Sequence, residues 1–430
     1  MKKKYRIILY TSIFLLCVVA SIILVVKKSN SVYEEESKPK VVKHKSMLSM
    51  NLEQTAGAGD YKTVTQSKWP TEGYKFNAEL SRCENGSTLS WDDTKKAVIV
   101  SGNLSDKCYV YFDIYQPTLA EYIKSQYTGT QGENNIYYHD SDLANGAGDN
   151  SYRYAGANPN NFVCFGSDTS PCPTDNLYRI IGVFGENYHG VTGKQLVKLI
   201  KYDYMTTDEL GTDGDYSQTY KEWGMDSTYK GTYGDGERIG VYYWNYKATG
   251  SATNTWSTSL LNKTNLNTNF INNIGTTWAN KIATVTWKVG GNTFANISDV
   301  VPATTYQNEI VNPVTTNTTD NATTYSAKIG LMYVSDYGFA ASPDAWTLTM
   351  SSYNNTTATN NNWMYMGLYE WTISRGADYS DDAFSVNIDG YVDSGNGVDG
   401  NYGVRASFSL ESSVSYVSGS GSMSDPIVIN

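Results

Sequence analysis

The sequence predicts an α+β protein in three parts: a single N-terminal transmembrane helix, a small disulfide-stapled β module, and a larger mixed domain rich in loops. Three observations predict it. Residues Ile7 to Val26 form an uncharged apolar run. Cysteines bracket turn-rich stretches at Cys83/Cys108 and Cys164/Cys172. Beyond them, short strand-like runs alternate with helical pieces and polar Asn, Thr, Ser and Gly segments. At 430 residues the chain exceeds one average domain.

Ile7–Val26 reads IILYTSIFLLCVVASIILVV and is about 30 Å long as a helix, enough to cross a bilayer. Lys2, Lys3, Lys4 and Arg6 precede it, whereas only Lys27 and Lys28 follow. The larger basic cluster places residues 1–6 in the cytoplasm and the bulk of the chain outside the cell. A cleaved signal peptide would have a shorter apolar region ending in small residues; this one ends Leu-Val-Val-Lys-Lys, so the segment reads as an uncleaved signal-anchor. Cys17, preceded by Leu15-Leu16, reads as an apolar membrane residue. Residues 27–73 follow as a flexible stalk, with charged Glu34–Glu36 and Lys38-Pro39-Lys40 and the small polar run Gln54–Asp60.

Residues 74–115 read as the β module. Ala97–Val100 and Cys108–Ile114 are strand-like, the second placing Cys108, Val110, Phe112 and Ile114 on one face. Four exported cysteines allow three pairings. Sequence proximity favours Cys83–Cys108 and Cys164–Cys172, in an oxidising setting that permits disulfides. Four buried thiols are the alternative. Zinc is disfavoured, because no C-x-x-C pair exists and His44, His139 and His189 are scattered.

Residues 116–175 read as a helix and a loop-rich connector. Thr118 and Glu121 stand at capping-box spacing, with Leu119, Tyr122 and Ile123 at helical intervals. Residues 176–430 form the large domain. Leu177–Phe184 and Gln195–Ile200 pair as strands; Trp256–Asn262 and Thr268–Ile274 fit helical pieces; Ala283–Trp287 and Ile329–Val334 return to strand, and residues 303–324 read as an exposed loop.

The most informative stretch is C-terminal: Trp371-Thr-Ile-Ser-Arg375-Gly376, then Asp389-Gly390-Tyr391-Val392-Asp393, then Tyr402-Gly403-Val404-Arg405-Ala406-Ser-Phe-Ser-Leu410. That order resembles a family of C-type-lectin-like domains of bacterial surface proteins, which read W-W-L-R-S-P-G, V-N-x-D-G-x-V and G-V-R-P-A-L. Leu177–Phe184 resembles the family's opening Y-R-I-I-G-V strand, and Trp256–Asn262 its W-x-x-S-x-L segment without the arginine and second tryptophan. Ser407 stands near the place of the family's Pro-containing ending. The resemblance covers roughly residues 176–411 and implies a fold that presents loops for binding. It also implies that Arg375 and Arg405 are structural, fastening loops through carbonyl oxygens.

On that reading the ligand face is the polar and aromatic loop group Tyr379, Asp381, Asp382, Asn387, Asp389 and Tyr391. Asp378, Asp382 and Asp389 are the calcium candidates, since closely spaced loop carboxylates can supply the oxygens calcium needs; solvated turn residues are the alternative, there and at Asp140, Asp142, Asn145 and Asp149. Trp363, Tyr365, Tyr369 and Trp371 offer a sugar-stacking platform, against the plainer reading that alternate strand aromatics are core.

No nucleophile elbow, zinc H-E-x-x-H or Walker loop occurs. The lectin-like fold has an enzymatic branch that uses paired C-terminal cysteines with copper; no cysteine follows Cys172. A carboxylate-pair glycosidase has no sequence signature and stays open. Residues 1–45 hold 10 of the 33 Lys and Arg but 3 of the 43 Asp and Glu, so the remainder carries a net charge of −17. Such an ectodomain repels nucleic acid. The leading expectation is a membrane-anchored cell-surface binding protein, adhesin-like, with no cofactor beyond calcium and an extracellular glycan or protein as partner. The alternatives are a structural envelope protein and a surface carbohydrate-active enzyme.

Overall fold

A computed structural model describes residues 48–65, 69–70, 73–103, 105–185, 188, 190–214, 229–233, 239–313 and 323–430. The expected anchor Ile7–Val26, most of the expected stalk, His44 and His189 lie outside the described residues, among which no helix is long and apolar enough to cross a membrane. The chain is mixed α+β with strands predominating and divides into two units, Met1–Tyr115 and Gln116–Asn430, at the boundary expected between module and connector.

The first unit contains strands β1 (Leu48–Glu53), β2 (Tyr61–Val64), β3 (Tyr74–Cys83), β4 (Thr88–Asp92), β5 (Ala97–Ser101) and β6 (Cys108–Ile114). Four of them form a sheet in the order β2-β1-β6-β3, while β4 and β5 make a hairpin. The module therefore begins at Leu48, not at residue 74. The stalk reading fails there because β1 pairs in parallel with β6, Leu48 opposite Cys108, a partner some sixty residues away that no local pattern reveals. Gln54–Asp60 is the loop of the β1–β2 hairpin, held by Asp60, whose Oδ1 accepts from the Gln54 and Thr55 amides. Met50, Leu52, Val110 and Phe112 form a small core. Cys83 and Cys108 face each other across β3 and β6 and are joined as a disulfide.

The second unit opens with helix α1 (Leu119–Ser125), whose Thr118–Glu121 capping box is present as expected. Its first sheet is built on β10 (Leu177–Phe184) and β11 (Leu196–Lys201). All eight residues of β10 are buried, so it needs neighbours on both sides. They come from the expected connector: β7 (Ile136–His139), β8 (Ser151–Tyr154) and β9 (Phe162–Cys164) extend the sheet. Residues 116–175 thus belong to the domain rather than leading to it. Gly182 permits the β8 approach, since a Cβ there would stand 2.2 Å from the Tyr152 carbonyl oxygen. On the far side β21 (Ser407–Ser409) pairs with β11, and β16 (Ile329–Gly330) with β21. Ser407 Oγ donates to the Leu199 carbonyl at 2.9 Å. The terminal segment pairs with β9 through Ile427, close to the second disulfide, Cys164–Cys172.

A second sheet carries the C-terminal motifs. Its order is β12 (Val241–Tyr242), β20 (Tyr402–Gly403), β17 (Glu370–Gly376), β18 (Asp382–Val386) and β19 (Val392–Gly397), with β14 (Gly291–Asn292) against β17. β13 (Val285–Lys288) and β15 (Thr324–Ala327) form a separate hairpin. Leu261–Ala279 is helical with a break at Gly275 and takes in the expected piece Thr268–Ile274, while Trp256–Thr258 is a single tight turn of helix. Residues 302–311 are also helical, where a loop was expected: Tyr306 and Ile310 recur at helical spacing and are buried. One extended core, including Trp244, Trp256, Trp287, Trp346 and Trp371, runs through the unit.

Candidate functional site

The residues expected to form one ligand face lie at two ends of β18. Asp378, Tyr379 and Asp381 occupy the exposed β17–β18 connection, and Asp382 opens β18. Asn254 holds this connection: its Nδ2 donates to the carbonyls of Gly376, Tyr379 and Asp382 at 2.6, 3.0 and 2.8 Å. Burial, together with neighbouring Asp381, Asp393, Asp378 and Asp399, raises the Asp382 carboxyl above its ordinary range.

Asn387, Asp389 and Tyr391 make the β18–β19 turn at the other end, about 16 Å away along a five-residue strand. Asn387 is buried and occupied: its Nδ2 donates to the Tyr391 hydroxyl, and its Oδ1 accepts from the Asp389 amide. Gly390 has φ 95°, and a Cβ there would lie 2.8 Å from Thr359 Cγ2, so the Asp-Gly pair is a turn requirement. The six residues do not form one face. The proposed calcium ligands Asp378, Asp382 and Asp389 do not converge, since Asp389 is on the far turn. Among the described residues no group of three His, Cys, Asp or Glu side chains is placed to hold a metal. The other acidic run is also local structure: Asp140 accepts from the amides of Asp142 and Leu143, and Asp149 pairs with Arg153.

The two motif arginines are buried. Arg375 Nε donates to the Val289 carbonyl at 2.9 Å. Arg405 donates through Nε to Glu370 Oε1 at 2.8 Å and through Nη2 to the Met364 carbonyl at 2.7 Å.

The four aromatics of the expected platform separate. Trp371 is core: its Nε1 donates to the Tyr242 carbonyl, and its ring lies 4.4 Å from Tyr402, which also stacks on Tyr369. Trp363 and Tyr365 instead line a cleft of about 690 Å³ in the second unit. Its walls include Phe162 from β9, Arg179 from β10 and Tyr202 after β11. Exposed Asn158, Asn160 and Asn360 stand round it, with Lys230 and Met423.

Local folding explains the arrangement. The Trp363 amide donates to the Gly156 carbonyl and its indole to the Tyr154 carbonyl, so the segment before β17 is stitched to the end of β8. Tyr365 is fixed by its hydroxyl on the Ile388 carbonyl at 2.6 Å. Arg179, opposite Phe162 in the β9–β10 register, is 6 % exposed and lies between two rings, 4.3 Å from Phe162 and 4.6 Å from Trp363. Its Nε donates to Asn161 Oδ1 at 2.7 Å and its Nη2 to the Pro159 carbonyl at 3.0 Å. Burial, with Arg405 nearby, lowers its guanidinium to about 9, still protonated at neutral pH.

Arg179, Phe162, Tyr202 and Lys230 were not singled out from the sequence. The available signal was a charge inside the otherwise apolar Leu177–Phe184 strand. Comparison with known proteins returns no match to a family model, to a curated protein or to a solved structure. The site therefore stands on its geometry.

Proposed function

We propose that this chain is a membrane-anchored cell-surface binding protein, with a C-type-lectin-like second unit that takes an extracellular glycan in the Phe162–Arg179–Trp363 cleft. One observation carries the reading: a concave site of ligand size, walled by four aromatic side chains and edged by amides that can bond hydroxyl groups. The anchor and topology rest on the uncharged Ile7–Val26 run and its basic flank. The lectin-like assignment rests on the C-terminal motif order.

The test is a glycan array probed with the full chain in detergent, alongside an Asn360→Trp variant. Asn360 is exposed beside the cleft, so the larger side chain obstructs the opening without disturbing the core. Glycan binding by the wild type, weakened at least about tenfold in the variant at an unchanged melting temperature, supports the cleft. Equal binding by both chains places the site elsewhere. Absence of any glycan ligand refutes the reading.

A further inference from the structure

We propose that the cleft selects a carboxylate-bearing sugar, with Arg179 as the anion-recognising group and Lys230 as a second cation. The inference rests on the cleft being the glycan site and adds the charge of the ligand.

It begins from four of this unit's other buried cations, which pair with carboxylates, whereas buried Arg375 donates to the Val289 carbonyl. Arg153 pairs with Asp149 at 2.7 Å, Lys198 with Asp336 at 2.5 Å, Lys201 with Glu209 at 2.6 Å and Arg405 with Glu370 at 2.8 Å. A buried charge needs such a partner, because desolvation otherwise penalises it heavily. Arg179 is also buried, at 6 % exposed, yet among the described residues no carboxylate pairs with it. Its two protein acceptors are an amide oxygen and a backbone carbonyl, both neutral. A guanidinium has five N–H groups; two are used, and Nη1 donates to no described residue.

The geometry also sets the kind of anion. The Phe162 and Trp363 rings hold the guanidinium between them, while Asn161 and Pro159 fix its rotation. A planar fork held in this way suits a planar carboxylate that can accept two parallel hydrogen bonds. Lys230 Nζ lies 4.5 Å from the Tyr365 ring and donates to the Thr359 carbonyl at 2.7 Å, again with no carboxylate among the described residues. None of the described residues lining the cleft is acidic, in a chain where Asp and Glu outnumber Lys and Arg by 43 to 33. The side-chain amides of Asn158, Asn160 and Asn360 make no hydrogen bond to described residues and are available to sugar hydroxyls.

The experiment is calorimetric titration of the full chain with oligosaccharides ending in glucuronate, galacturonate or N-acetylneuraminate, each beside its methyl ester. The ester keeps the ring and removes the charge. At least one acid is expected to bind about tenfold or more tightly than its ester, with affinity falling as salt rises. Arg179→Met should abolish that preference, Arg179→Lys should restore only part of it, and exposed Lys230→Gln should reduce it. Equal affinity for acid and ester overturns the charge inference and leaves the cleft reading standing, as does a neutral glycan bound in an Asn360→Trp-sensitive way. Failure of every glycan overturns both.

Discussion

Replacing Arg405 by Met should destabilise the second unit by about 3–5 kcal/mol near neutral pH, the cost of stranding one member of a buried ion pair. Met keeps most of the aliphatic stem, so the loss is electrostatic. Arg405 and Glu370 are 1 % and 2 % exposed, and their 2.8 Å contact is the charged partner each has in the core. The substitution also frees the Met364 carbonyl, beside the cleft wall. Glu370 can escape by taking up a proton. Burial already raises its carboxyl, and Arg405 is the main opposing influence. Without that cation the folded value rises further above the unfolded one. A raised carboxyl contributes stability that is complete below its unfolded value and lost as pH rises through the folded one. The deficit of the variant should therefore be small near pH 4 and full at pH 8. Urea denaturation of the full chain at both pH values measures it, and Arg405→Met/Glu370→Leu should recover part of the loss. A deficit under about 1 kcal/mol at pH 8, or a double variant as unstable as the two singles added together, would falsify the structural role of this pair.

Three further outcomes follow from the same geometry. The Cys83–Cys108 bond closes a 25-residue loop, worth about 3.5 kcal/mol in the chain-entropy model. With a small core among its described residues, the first unit should lose its thermal transition on reduction, whereas persistence of that transition at its original temperature would refute the estimate. Burial lifts Glu309 from its ordinary 4.5 to about 7, against hydrogen bonds from Ser374 and Ser335. The Glu309 contribution to stability should accordingly be full below pH 4.5 and fall by up to about 3 kcal/mol toward pH 7, a component of the pH dependence that Glu309→Gln should remove in denaturant titrations. Asn254→Ala, which loses three hydrogen bonds to the β17–β18 connection, should cost about 2–3 kcal/mol, whereas Tyr379→Ala, at a residue 66 % exposed, should change stability by less than about 0.5 kcal/mol. Comparable melting shifts for the two variants would contradict the placement of that loop.

What could be read from the chain was what local spacing encodes. The disulfides followed from proximity, the α1 cap from a three-residue interval, and the strand at Cys108–Ile114 from alternation. What could not be read was long-range pairing. Leu48–Glu53 is six residues with little signal of its own and becomes a strand because β6 is beside it. Ile136–His139 and Ser151–Tyr154 lie in polar surroundings and extend the sheet only once β10 needs an edge covered. The expected ligand face failed for a related reason. Asn387, Asp389 and Tyr391 are polar and close in sequence to Asp382, but a strand between them converts sequence proximity into separation.

The motif residues themselves mostly frame the fold. Gly182 admits a neighbouring strand, Gly390 turns a corner, Arg405 fastens the segment that carries Trp363, and Ser407 ties two strands together. Residues committed to such bonds have little left for a ligand. Arg179 differs, although it sits in the same kind of motif: its strand is dictated by packing, yet most of its hydrogen-bonding capacity is unspent. The cleft assembles from segments near residues 158, 179, 202, 230, 360 and 423, and no window of sequence contains it. On the proposed function, discrimination between ligands falls to residues outside the C-terminal motifs.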